Sequence, residues 1–116
     1  MPTRVVVAED EAIIRMDLRE LLQEEGYEVV AECGRGDEAV ELVREHAPDV
    51  ALLDIKMPGL DGISAAREIA SERLTAVVLV TDFAGWQLSA RNQLAGTVSR
   101  IERGAVSSLV VLTMPG

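Results

Sequence analysis

The chain has 116 residues, 48% apolar and 27% charged, with 20 acidic against 11 basic side chains and a net charge of −9. That length and apolar share can fill one hydrophobic core unaided, and the single cysteine, Cys33, excludes an internal disulfide and a cysteine metal cluster. An acidic body argues against nucleic acid as a direct partner, because binding phosphates needs a basic face.

Val5-Val6-Val7-Ala8 is an unbroken apolar run and predicts a first strand. Residues 11–25 place Ile14, Leu18, Leu21 and Leu22 on one face at helical spacing, with Asp10 as the expected N-cap and Gly26 as the stop. Val29-Val30-Ala31 predicts a second strand, and residues 37–45 a second helix with Ala39, Val40 and Val43 inward, closed by Pro48. Val50-Ala51-Leu52-Leu53 is the third strand. A loop with Pro58, Gly59 and Gly62 leads into a third helix over residues 63–71, and Ala76-Val77-Val78-Leu79-Val80 is the fourth strand. Strands alternating with amphipathic helices make repeated βαβ units and a parallel sheet. Continuous apolar strands are what burial on both faces requires.

Past Thr81 the helical periodicity stops and the charge changes sign. Residues 1–82 hold 8 basic against 19 acidic side chains, whereas residues 83–116 hold three arginines against Glu102. Residues 97–103 and 106–114, separated by Gly104-Ala105, predict a β-hairpin. The expected fold is thus α/β, a truncated parallel sheet of order 2-1-3-4. Its bare fourth strand invites pairing, so the hairpin either completes the sheet, through residues 109–112, or pairs with another copy in a homodimer. No apolar run approaches the ~18 residues of a membrane span, and the first residues lack a leader's basic-then-apolar layout. A soluble, cytoplasmic chain with no membrane partner is expected.

Three carboxylates stand at strand ends: Glu9 and Asp10 after the first strand and Asp54 after the third. In a parallel sheet these ends share one rim, where open α/β sheets place their sites. Carboxylates packed so closely repel unless a cation joins them, and a hard divalent ion with oxygen ligands, Mg²⁺, is the expected occupant. The cation would leave one Asp54 oxygen free to attack phosphorus. Thr81, at the end of the fourth strand, would donate a hydrogen bond to the phosphoryl group. Asp61 reads as a turn residue, the Lys56 side chain as solvent-facing, and Cys33 as a small buried apolar residue.

Val7-Ala8-Glu9-Asp10-Glu11, Leu52-Leu53-Asp54-Ile55-Lys56-Met57-Pro58-Gly59-Leu60-Asp61-Gly62 and Leu79-Val80-Thr81 resemble the receiver domains of bacterial response regulators, over residues 4 to about 83. Within that family the stretch resembles receivers attached to RNA-binding antiterminator domains. The resemblance implies a flavodoxin-like fold and a two-component signalling module rather than an enzyme. It implies Asp54 as phosphoacceptor, Glu9, Asp10, Asp54 and the Lys56 backbone carbonyl as Mg²⁺ ligands, and Thr81 as the switch hydroxyl. The phosphodonor would be a histidine kinase or a small phosphodonor molecule. The family also carries a lysine after a fifth strand. Here Lys56 is the single lysine, so with that lysine and the fifth strand absent, switching is expected to be impaired.

Leu88-Ser89-Ala90-Arg91-Asn92-Gln93-Leu94-Ala95-Gly96-Thr97-Val98, followed by Ile101-Glu102-Arg103-Gly104-Ala105-Val106, resembles the opening of a Mop-type molybdate-binding domain. That resemblance implies Ser89 and Arg91 as oxyanion contacts, with molybdate as the ligand. It divides the chain into a receiver-like part, 1–83, and a Mop-like β segment, 84–116, a chimera of two families. Three functions follow as expectations: a phosphoacceptor, an oxyanion-binding or oligomerisation module, and a hybrid with no retained activity.

Overall fold

The structure, a computed structural model, describes residues 2–72, 75–80, 96 and 109–112. The elements run β1 (Arg4–Ala8), α1 (Ala12–Glu24), β2 (Glu28–Cys33), α2 (Gly36–His46), β3 (Val50–Asp54), α3 (Gly62–Glu72), β4 (Ala76–Val80) and β5 (Leu109–Leu112). They form one sheet of order β2-β1-β3-β4-β5. Every neighbouring pair is parallel.

Alternation along the strands divides the core into two layers. Val5 and Val7 of β1, Val50 and Leu52 of β3, and Val78 and Val80 of β4 pack with Leu18, Leu21 and Leu22 of α1. Their neighbours Val6, Ala8, Ala51, Leu53 and Val77 pack with Ala39, Val40 and Val43 of α2 and Ala65, Ala66 and Ile69 of α3. Helices therefore cover both faces, and for that reason the strands carry no polar alternation. Leu18, Leu22, Leu52 and Leu53 are almost fully buried, each contributing roughly 1.5–3 kcal/mol of transfer free energy. Among the described residues no helix is long and apolar enough to cross a membrane.

The α/β flavodoxin-like order 2-1-3-4 is as the sequence predicts. The sheet is nonetheless not left without a fifth strand: as the first of the two expected alternatives has it, Leu109–Leu112 pairs with β4, in register Val77↔Leu109 to Val80↔Leu112. An apolar parallel strand with one side unpaired leaves a row of backbone donors and acceptors unsatisfied, and the Leu-Val-Val-Leu run satisfies one side of it. The pairing is parallel, which needs a crossover of about a dozen residues or more, and residues 81–108 exceed that length. The first arm of the expected hairpin, residues 97–103, lies outside the described residues.

Two helix ends differ from expectation. The N-cap of α1 is Glu11 and not Asp10. The Glu11 N–H is taken by Glu9 Oε1 at 3.0 Å, while Asp10 belongs to the acidic group described below. Helix α2 ends on Ala47 in the left-handed region, φ 46°, where a glycine would be expected. Arg4 Nη1 donates to the carbonyls of His46 (2.7 Å) and Ala47 (3.3 Å), which ties this end to β1. Left-handed backbone strains any residue with a Cβ. Ala47→Gly should therefore raise stability by about 0.5–1 kcal/mol, read as a higher urea midpoint at unchanged slope; a lower midpoint would contradict the left-handed assignment.

Candidate metal centre

Strands β1 and β3 are adjacent, with Ala8 opposite Leu53, so the residues that follow each emerge at one rim. Ligand atoms of Glu9, Asp10 and Asp54 lie within 4.8 Å of one another. Glu9 is 1% exposed and Asp54 6%, while Asp10 faces solvent. A loop beneath Asp54 is tightly closed: Gly62 N–H donates to the Ile55 carbonyl at 3.0 Å, and a Cβ on Gly62 would collide with the Asp54 carbonyl. Only glycine fits this approach. Lys56 N–H donates to Asp54 Oδ1 at 3.3 Å, which orients the carboxylate.

Glu9 carries the electrostatic tension of the site. Its Oε2 is buried and has no hydrogen-bond partner among the described residues. Burial is the main cause that pushes its pKa up to about 9; the Glu11 N–H pulls the other way, and hydrogen bonding with Asp10 and the charge and hydrogen bonding of Asp54 push it further up. Without a cation, the acid therefore keeps its proton at neutral pH, and only that proton lets Glu9 share a hydrogen bond with Asp10 or Asp54. A buried carboxylate oxygen with no donor among the described residues, on a residue grouped with two further carboxylates, fits a hard divalent cation bound through oxygen.

The structure thus brings together Glu9, Asp10 and Asp54, and it places Lys56 in the loop directly after them with an exposed side chain. Thr81, Ser89 and Arg91 lie outside the described residues. Asp61 behaves as the predicted turn residue: it precedes α3 and accepts the Ser64 N–H at 2.9 Å, which holds its carboxyl below the usual range. Cys33 is buried, as expected, and burial raises its thiol pKa.

Sequence reasoning missed Arg15, whose Nη1 donates to the Glu9 carbonyl at 2.7 Å. Periodicity could only mark Arg15 as one polar residue of an amphipathic helix, since its contact depends on how α1 sits across the end of β1. A separate surface cavity of about 450 Å³ is lined by Glu32, Asp37, Glu38, Glu41 and Leu42 and touches none of the three acids. Glu32, Asp37 and Glu41 are already paired with arginines.

A family model, "Response regulator receiver domain", matches residues 5–107. The transcriptional regulatory protein PdtaR of Mycobacterium tuberculosis is 50% identical over 111 residues, covering 95% of this chain and 54% of that protein. The chain thus spans about half the length of this relative. A shorter similarity links it to the molybdenum transport protein ModE of Herbaspirillum seropedicae, 77% identical over 48 residues, 41% of this chain and 18% of that protein. Among solved structures, the response regulator domain of Thermotoga maritima CheB superposes with a TM-score of 0.71 at 32% identity, covering 99% of this chain and 80% of that one. A match that runs through nearly the whole sheet and its acidic rim, on the same fold as the CheB domain, means that the chain belongs to the response regulator receiver domain family of two-component signalling.

Proposed function

We propose that the chain is a Mg²⁺-dependent phosphoacceptor, with Asp54 as the residue modified. The observation that carries this reading is the convergence of Glu9, Asp10 and Asp54, with Glu9 Oε2 buried and without a hydrogen-bond partner among the described residues. Receiver domains bind Mg²⁺ at an acidic pocket and take phosphoryl groups from histidine kinases or small phosphodonors. Here Glu9, Asp10, Asp54 and the Lys56 backbone carbonyl would hold the ion. Bound Mg²⁺ supplies positive charge that neutralises the carboxylates and withdraws electron density from a phosphoryl oxygen.

The chain's own groups do the rest. An Asp54 oxygen attacks phosphorus, and the bond to the donor's imidazole or carboxylate breaks, with that group leaving with its electron pair. The Lys56 N–H at 3.3 Å restrains the carboxylate during the attack, and the Thr81 hydroxyl donates to the phosphoryl group. Lys56 is the single lysine and stands two residues after the phosphoacceptor, so no second ammonium pairs with the phosphoryl oxygens and the switch is weakened. Similarity to a transcriptional regulatory protein favours an output in gene expression.

Incubation with acetyl phosphate and Mg²⁺ should add about 80 Da to the intact mass, and both EDTA and Asp54→Asn should abolish the gain. An unmodified wild-type chain would sink the proposal.

The metal-free site has a pH signature. Glu9 ionises near 4.5 when unfolded and near 9 when folded. Its protonated form therefore favours the fold, fully below pH 4.5, and this stability drains away as pH rises toward 9. In EDTA, wild-type stability should fall with rising pH across that window by roughly 1 kcal/mol per unit, and Glu9→Gln should flatten the slope. Equal slopes in the two proteins would mean that Glu9 is not the group concerned.

The ModE similarity favours a second reading, in which residues 84–116 form a Mop-like segment joined to a receiver part at residue 83 and bind an oxyanion within a homodimer. Calorimetry with molybdate should then register binding that Arg91→Ala removes, and a blank titration with the wild-type chain leaves this segment a purely structural part.

A further inference from the structure

Glu9 is fixed at three points. Its N–H donates to the Cys33 carbonyl at 3.0 Å, its Oε1 accepts the Glu11 N–H at 3.0 Å, and its carbonyl accepts Arg15 Nη1 at 2.7 Å. The first two contacts use main-chain donors and acceptors that almost any sequence would offer at this turn. The third depends on one side chain, and that side chain is itself aimed. Arg15 Nε lies 3.6 Å from Glu32 Oε1 on β2, and the other oxygen of Glu32 meets Arg19 Nη1 at 3.4 Å.

Gly34 leaves room for this reach. A Cβ added there would stand 3.1 Å from Arg15 Nη1, 3.5 Å from the Asp10 Cα and 3.7 Å from the Glu9 carbonyl oxygen. The arginine tip therefore lies against the side-chain-less face of Gly34, where a Cβ would crowd it, and it ends on Glu9, whose carboxylate is grouped with the other two acids. A charge-assisted hydrogen bond in such a partly buried place is stronger and more directional than an exposed ion pair.

We propose that Arg15 is a positioning residue for metal binding: by clamping the Glu9 carbonyl, it keeps the Glu9 carboxylate turned toward Asp10 and Asp54. The inference rests on the metal-binding reading of these acids. It also separates two effects of opposite sign. A positive charge beside a cation site weakens cation binding through repulsion, so deleting Arg15 would tighten binding if charge were its whole contribution. Loss of positioning weakens it.

Calorimetric titration of the full chain with MgCl₂ distinguishes these outcomes. Arg15→Met should weaken Mg²⁺ binding about tenfold, the effect typical of removing an orienting partner behind a ligand, and Arg15→Lys, which keeps a donor of similar reach, should recover most of it. Gly34→Ala leaves the arginine in place but crowds its tip, and should give an intermediate loss. Unchanged or tighter binding by Arg15→Met, or Arg15→Lys as weak as Arg15→Met, would overturn the proposal. If circular dichroism finds Arg15→Met unfolded, Gly34→Ala decides, and wild-type affinity in that variant is the overturning result. A wild-type chain that takes up no Mg²⁺ would overturn the site reading itself, and this inference with it.

Discussion

Everything at the functional end of this molecule depends on repulsion among carboxylates held at one rim. The parallel pairing of β1 with β3 leaves the chain no freedom to separate Glu9 and Asp10 from Asp54. Glu9 is buried more deeply than an unpaired charge can be, so the site has two ways to relieve the tension: keep a proton on Glu9 or admit a cation. A proton and a cation would therefore relieve the same tension at Glu9.

The scaffold under that rim is ordinary and strong, which is what permits the tension. Two layers of Val, Leu, Ile and Ala clamp the sheet from both sides, and the loop after Asp54 is locked by the approach of Gly62 to the Asp54 carbonyl. Rigid elements hold the acids; short loops only finish their aim. Arg15 works in the same way, since α1 is anchored by Leu18, Leu21 and Leu22 and can carry a side chain back across the strand end to Glu9.

The other edge of the sheet follows a different constraint. An apolar β4 demands a neighbour, and a short β-branched run at 109–112 supplies one in parallel. The demand is for backbone hydrogen bonds and apolar cover, not for a particular sequence. Any run with the right propensity and length can complete a sheet edge. Lys56, the single lysine of the chain, stands in the loop after β3, away from this edge in sequence.

The sequence by itself determined the α/β order, the four apolar strands, the helices that cover them and the strand-end location of Glu9, Asp10 and Asp54. These are local properties, written in unbroken apolar runs, in the 3.6-residue periodicity of the helices and in the turn residues between them. It also marked residues 109–112 as the segment able to complete the sheet. Only the tertiary structure decided that three acids come within 4.8 Å, that one oxygen of Glu9 has no donor among the described residues, that Asp10 joins the acids instead of capping α1, that Ala47 takes a glycine's conformation, and that Arg15 reaches Glu9 past Gly34. Each of these depends on the register and approach of segments distant along the chain. A side chain's surroundings there are set by packing across the sheet, to which local pattern is blind.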